Sequence, residues 1–526
     1  MPSTTERPAL FQKLLDMLGE VYDLSRTATL LGWDELCMMP RGGSAARADQ
    51  KATLERLIHQ RFTSDEMGEV LDALADWANA CGFDTFEGSL VRVTRRNYEQ
   101  YKKIPPELVV AMSRAASRGY HSWAEARRAN DFRVWQPMLE EVVRLLIELT
   151  EVMGYTERRY DALLERREPG LRTIHVEALF DRIRAEIVPF ARLVAEHSDT
   201  IDDRVLHQHF DPERQRTLAG EVVRTLGFDF DRGRIDTALH PISYSISPGD
   251  VRLATRIKEH SFPAGFFSTI HEAGHGMYFQ GVPMEFRRTS LDGTTAQGAN
   301  LTPVYGGIST GLHESQARMW ENVLGRSRPF WGYWYPRVQS LFPEQTEGVS
   351  LEAWYRAVNR SRPSLIRVEA DEVTYDLHIM LRFDLENMLI EQELAVADLP
   401  TAWADLSERY LGLRPSDDLT GVLQDIQWSR GGHGGFPSYT IGNTLGLQLW
   451  RLMEAATPDL ETQLREGNFL VVRDWMGRNI HCHGSKYQPL EIVERLTGQA
   501  ALDPGPYIAY LKQKFGELYG ISPGTA

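Results

Sequence analysis

The amino-acid sequence predicts a mainly α-helical protein carrying one small antiparallel β ribbon. Three observations lead there. Apolar residues recur at spacings of three and four through most of the chain, the stripe an amphipathic helix buries. One stretch, "IDTALHPISYSISPGDVRLATRI" at 235–257, replaces that period with alternation around a Pro-Gly-Asp turn. No low-complexity tract or internal repeat competes with either pattern.

In chain order, "FQKLLDMLGEVYDLSRTATLLGW", "ADQKATLERLIHQRF" and "VWQPMLEEVVRLLIELTEVMGYTERRYDALLERR" make the region from Phe11 to about Asp199 a long-helix bundle. The ribbon follows. Helical period resumes in "LHESQARMWENVLGRS", "DEVTYDLHIMLRFDLENMLIEQEL" and "NTLGLQLWRLMEAA". Between ribbon and second helical region lies "FFSTIHEAGHGMYFQG" at 266–281, expected as a helix because Pro263 suits an early helical position and Gly281 and Pro283 supply a stop.

Composition bounds the function. With 42% hydrophobic and 25% charged residues the chain is that of a globular protein, and its 526 residues suffice for a large core. A net charge of −15 without a Lys/Arg block argues against nucleic acid or an anionic membrane as partner. Cys37, Cys81 and Cys482 are too few and scattered for a disulfide framework, which points to a reducing compartment. The N-terminus lacks a signal-peptide pattern and no stretch approaches about 20 apolar residues, so a cytoplasmic location is expected.

On a helix, His271 and His275 share a face and aim at one point, with Glu272 beside them. Two neutral imidazoles suit zinc, and a carboxylate outside the coordination shell can take a proton from water acidified by the ion. A catalytic zinc needs a third protein ligand. Glu314, in "TGLHESQARMWEN", stands at the start of a helical pattern, and spacing alone leaves it either that ligand or a solvated first-turn carboxylate. His313 is a candidate to hydrogen-bond a ligand or to be an ordinary core histidine. "EAGH" is also the Glu-x-x-His of di-iron bundles, but no second copy exists in the chain. A mononuclear iron site of two His and one carboxylate is formally compatible.

Several ordered blocks then carry a resemblance: "HEAGH" at 271–275, "HESQAR" at 313–318, "IRVEADEVTYDLHIMLRFDLE" at 366–386 and "GVLQDIQW" at 421–428. With "LGWDELCMMPRGGSAARADQ" and "NIHCHGSKY", they make nearly the whole chain similar to the thermostable, Taq-type metallocarboxypeptidase family. The resemblance implies one catalytic domain over 1–526, two-lobed around a deep cleft, with a helical lobe at 1–200 and a metal-bearing lobe at 201–526. It implies a homodimer that removes single residues from peptide C-termini. By position, His271, His275 and Glu314 match the metal ligands and Glu272 the general base and acid. Zn2+ is the expected ion, with Co2+ or Mn2+ as substitutes.

An exopeptidase must bind a free carboxylate, which an arginine fork does best. Arg367 matches the family's arginine motif and is the first choice, with Arg252 second; the competing partners are Asp371 and Asp250. Tyr439, His378, His240 and Tyr487 are candidates to polarise the scissile carbonyl.

The chain departs from the family pattern at Ile242, Ala254, Gln427, His433 and Gly435, in blocks tied to the substrate cleft, and in a longer connector at 289–311. Gln427 stands where histidine is usual; His433 and Gly435 stand for Phe and Tyr. The expectation is hydrolytic machinery kept and substrate contacts changed, with Gln427 and His433 among the residues touching substrate. The leading function is a metal-dependent carboxypeptidase. A metal-dependent amidohydrolase acting on an N-acyl amino acid or other small amide is second. A catalytically weakened binding protein, from another class, has no reason to keep all four groups.

Overall fold

A computed structural model describes residues 7–292 and 308–521. The N-terminal run forms α1 (Ala9–Cys37), α2 (Ser44–Phe62), α3 (Asp65–Cys81), α4 (Phe86–Lys102), α5 (Pro106–Ala129), α6 (Gln136–Met153), α7 (Arg159–Glu165), α8 (Thr173–Glu196) and α9 (Pro212–Leu226). The long pattern at 134–167 divides into α6 and α7, because Gly154 caps α6 at φ 77, where a side chain is disfavoured.

The ribbon is larger than expected. Strands β2 (Ile242–Ser247) and β3 (Asp250–Thr255) pair antiparallel with Tyr244 opposite Arg252, as the Pro-Gly-Asp turn dictates. A third strand, β1 (Gly233–Thr237), adds to the other edge of β3 and runs parallel to it, giving the order β1-β3-β2. Parallel pairing needs a crossover, and here β2 and its turns supply the return, a feature that alternation in a short segment does not reveal.

Beyond the sheet lie α10 (Phe262–Gly281), α11 (Thr310–Arg318), α12 (Arg328–Leu341), α13 (Leu351–Val358), α14 (Tyr375–Ile390), α15 (Leu399–Leu411), α16 (Pro437–Ala456), α17 (Leu460–Arg465), α18 (Leu470–Asn479), α19 (Pro489–Thr497) and α20 (Gly505–Tyr519). Helix α10 begins with Pro263 in its first turn and stops before Pro283. It is apolar nearly all round because it is covered on all sides, by β2 and β3, α9 and α11. Residues 293–307 of the connector at 289–311 fall outside the described residues.

Helix α11 is buried from Gly311 to Arg318, wedged between α10 and α16. Two glycines permit this. A Cβ on Gly274 of α10 would stand 2.8 Å from Ala317 Cα, and one on Gly442 of α16 would stand 2.9 Å from Glu314 Cβ. Each neighbour is backbone or a helix-fixed side chain, so neither yields. Gly274→Ala is therefore expected to cost about 1–3 kcal/mol of stability through overpacking. Denaturant unfolding measures it, and an unchanged midpoint would show that the two helices slide apart freely.

Helix α11 passes directly into a π-helical turn, Met319–Leu324. Such turns often mark functional sites. This one carries Glu321.

Among the described residues no helix is long and apolar enough to cross a membrane. Cys37, Cys81 and Cys482 are all free thiols.

Candidate metal centre and substrate cavity

The helical spacing of His271 and His275 and the wedge of α11 bring three donors together. One ligand atom each from His271, His275 and Glu314 lies within 4.8 Å of the others. Glu314 Oε2 is 3.4 Å from His275 Nε2, and Oε1 is 3.8 Å from His271 Nε2. Oε1 is buried and has no hydrogen-bond partner among the described residues. A buried carboxylate whose two oxygens each face a different imidazole nitrogen, with Oε1 left unpartnered, fits a cation among the three side chains. Glu314 is thus buried inside the wedge and is no solvated first-turn carboxylate.

Each imidazole is steered from its far side. His271 Nδ1 lies 3.0 Å from Glu321 Oε2, and Arg318 Nη1 donates to the same oxygen at 3.2 Å. Burial pushes the Glu321 carboxyl up, but Arg318, His271 and Arg326 outweigh it and hold it at about 2. A carboxylate on Nδ1 keeps the proton there and leaves Nε2 free to ligate. His275 Nδ1 instead meets His313 Nδ1 at 2.5 Å. Only one of the two nitrogens carries hydrogen, and if His275 ligates through Nε2, it donates and His313 accepts. Burial and His275 hold His313 well below the usual imidazole range, so it stays neutral as that acceptor role demands. His313 also stacks on Tyr278, and Tyr278 on His481, extending the ring column behind the site.

Burial pushes His271 down, yet Glu314, the Glu321 hydrogen bond and Glu272 outweigh it and lift it to about 9. Burial pushes Glu272 up against the opposing pull of His271 and His275. The Glu272 side chain faces the same cavity but does not belong to the three-donor cluster.

That cavity has a volume of about 310 Å³ and is walled by the donors, Glu272, His240, Ile242, Gln427, Gly435 and Tyr439. Three of the altered positions, Ile242, Gln427 and Gly435, thus stand where substrate would lie. Gln427 Oε1 is buried there with no partner among the described residues.

Other expected contacts sit elsewhere. Arg367 is not on this wall: its Nε donates to Asp425 at 2.9 Å, and its guanidinium lies against Phe436 and Tyr439. The competing partner Asp371 instead binds Ser361 and the backbone at Val373. Arg252 forks onto Asp250 at 2.9 Å and stacks on Trp33, so its charge is also spent. His433 is buried against Trp428, off the cavity, and burial pushes its pKa to about 3. His378 is equally buried, and Tyr487 donates to Asp84 at 2.8 Å. Ala254 is wholly buried in β3.

The arginines that do line the cavity are Arg167 and Arg430, which no motif marks. Arg167 sits in the turn between α7 and α8, next to Glu168. That carboxylate accepts from Gly311 N at 2.6 Å and from Ser438 Oγ at 2.5 Å, tying the turn to the first residues of α11 and α16. Burial lifts Glu168 to about 7, against these donors.

The loop that bears Gln427 and Arg430 hangs from a second buried carboxylate. Glu386 accepts from Trp428 Nε1 at 2.6 Å, Gly434 N at 2.9 Å and Tyr160 OH at 2.5 Å. Burial lifts Glu386 from 4.5 to about 7. Between these values the folded chain keeps a proton that the unfolded chain has lost, so this group's contribution to stability is full below about pH 4.5 and falls as pH rises to 7. Glu386→Gln is expected to become more stable relative to the parent between pH 5 and 8, by up to about 3 kcal/mol. Urea unfolding at the two pH values reads the difference, and a constant gap would show that Glu386 is already ionised at pH 5.

Comparison with known proteins gives the family. The sequence profile of "Carboxypeptidase Taq (M32) metallopeptidase" matches residues 13–515. The chain is 38% identical over 524 residues to thermostable carboxypeptidase 1 of Thermus thermophilus, covering 97% of this chain and 99% of that one. It is 35% identical over 512 residues to carboxypeptidase 1 of Bacillus subtilis, covering 97% and 98%. The crystal structure of an M32 carboxypeptidase from Deinococcus radiodurans superposes with a TM-score of 0.90 at 38% identity, covering 98% of this chain and all of that one. With a largely buried two-histidine, one-glutamate cluster on a helical scaffold shared over nearly its whole length, the chain belongs to the carboxypeptidase Taq (M32) metallopeptidase family and is a metal-dependent carboxypeptidase.

Proposed function

We propose that His271, His275 and Glu314 hold a zinc ion and that Glu272 is the general base and acid for removing the last residue of a peptide. The observation that carries this is the convergence of three donors, His275 and Glu314 buried and His271 partly so, beside a fourth carboxylate outside the cluster in one cavity. Neutral imidazole and carboxylate donors suit zinc, with cobalt and manganese as substitutes. When bound, such an ion supplies Lewis acidity that sharpens a water as nucleophile and polarises the amide carbonyl. Glu272 takes the proton from that water and passes it to the nitrogen of the leaving amino acid. Glu321 and His313 keep both imidazoles in the ligating tautomer. Tyr439, His240 and Gln427 face the scissile bond from the opposite wall.

We also read the chain as one catalytic unit. Arg167, in the helical lobe at 1–200, and Glu314, in the metal-bearing lobe at 201–526, border one cavity, in line with a cleft between them. A homodimer rests on the family resemblance, and a cytoplasmic location on the three free thiols; light scattering and cell fractionation check these.

Metal analysis with turnover of one peptide in free and C-terminally amidated forms tests the function. One equivalent of zinc and cleavage of the free form alone is expected. Zinc bound with neither form cleaved overturns it.

A further inference from the structure

We propose that this cavity selects substrates whose last residue is acidic, the terminal carboxylate lying toward Arg167 and the side-chain carboxylate toward Arg430, so that the amino acid released is aspartate or glutamate. This rests on the carboxypeptidase reading above. Among the described residues the cavity's carboxylates are Glu272 and Glu314, the second within the three-donor cluster, and its other two charged side chains are both guanidiniums. In a chain of net charge −15 this sign is local.

Placement supports the pairing. Thr310 N donates to Arg167 O at 2.9 Å, and Glu168 holds the Ser309 hydroxyl and Gly311 N, so Arg167 is fixed over the first turn of α11. Glu314 lies one turn further on, about 6 Å along the axis. A residue spans about 3.5 Å, so a scissile carbonyl at the metal puts the terminal residue's carboxylates within reach of that turn. Burial and Arg166 lower the Arg167 guanidinium to about 10, which leaves it a cation at neutral pH.

Arg430 also lines the cavity, from the Trp428–Arg430 turn. It is solvent-exposed, its guanidinium lies 4.7 Å from the Tyr120 ring centroid, and it makes no salt bridge among the described residues. The contact with the ring uses no N–H of the fork, which leaves those donors for a carboxylate. Behind Phe436, Arg367 and Arg382 share the single carboxylate of Asp425, which adds net positive charge to the same wall. Hydrolysis itself is unchanged: the amide C–N bond breaks, hydroxyl goes to the acyl carbon and a proton to the departing amine.

The test is kcat/KM for four free peptides of one body ending in Glu, Gln, Leu and Lys. Glu is expected to exceed Gln by about tenfold or more, roughly what one well-placed charge pair contributes. In Arg430→Gln the Glu-to-Gln ratio falls to near one, and in Arg430→Glu the Lys-ended peptide overtakes the Glu-ended one. The exposed position makes both variants compatible with folding. Equal turnover of Glu, Gln and Leu peptides by the parent enzyme overturns the acidic preference while leaving the carboxypeptidase standing; no turnover of any overturns both.

Discussion

Glu272→Gln is expected to lower kcat by about 10²–10⁴-fold while leaving the metal in place, the range a positioned general base contributes. The amide matches the carboxylate in shape, so α10 keeps its fit between the sheet and α11. Glu272 is not one of the three clustered donors, so coordination is untouched. What is lost is the ability to accept a proton from water and return it to the amine. Burial already raises the Glu272 carboxyl toward the pH at which it must shuttle protons. Steady-state kinetics with metal analysis of the same sample checks the claim. Activity within a factor of a few of the parent would remove Glu272 from the proton path.

Glu321→Gln is expected to weaken metal affinity by about 10–100-fold, the usual effect of losing a carboxylate that orients a ligating histidine. His271 Nδ1 sits 3.0 Å from Glu321, and the amide can rotate to present either an acceptor or a donor there, so the ring's tautomer is no longer enforced. Arg318 loses a charged partner in a buried setting as well. Chelator competition measures the affinity, and Glu321→Asp should recover part of it. An unchanged affinity would mean that the three ligands hold their geometry alone.

The helix, the two histidines and Glu272 were legible in one segment, 262–281, because an α-helix repeats its faces every three to four residues, whereas the approach of α11 over Gly274 was not. His313 was legible as a neighbour of the ligand Glu314. Glu321 was missed: it falls seven residues after Glu314, but the helix changes to a π turn between them, so α-helical spacing does not fix its direction. The parallel strand β1 was missed because a short strand takes its pairing direction from its neighbour.

The arginines divide differently. Arg252 paired with Asp250, two residues away, as local chemistry suggested. Arg367 paired with Asp425 and not with nearby Asp371, because the turn at 424–430 folds over it and buries both charges together. A buried charge must take whatever counter-charge the fold brings, since its desolvation cost leaves no neutral option.

The sequence by itself determined the helical class and the placing of His271, Glu272 and His275 together on one helix, since both are written in periods no longer than one helix. Only the tertiary structure decided which arginines face the cavity, that His433 is buried beside Trp428, and that a π-turn places Glu321 behind His271. Those depend on contacts between elements far apart in the chain, where side chains meet by packing and charge compensation rather than by spacing, and no local pattern encodes them.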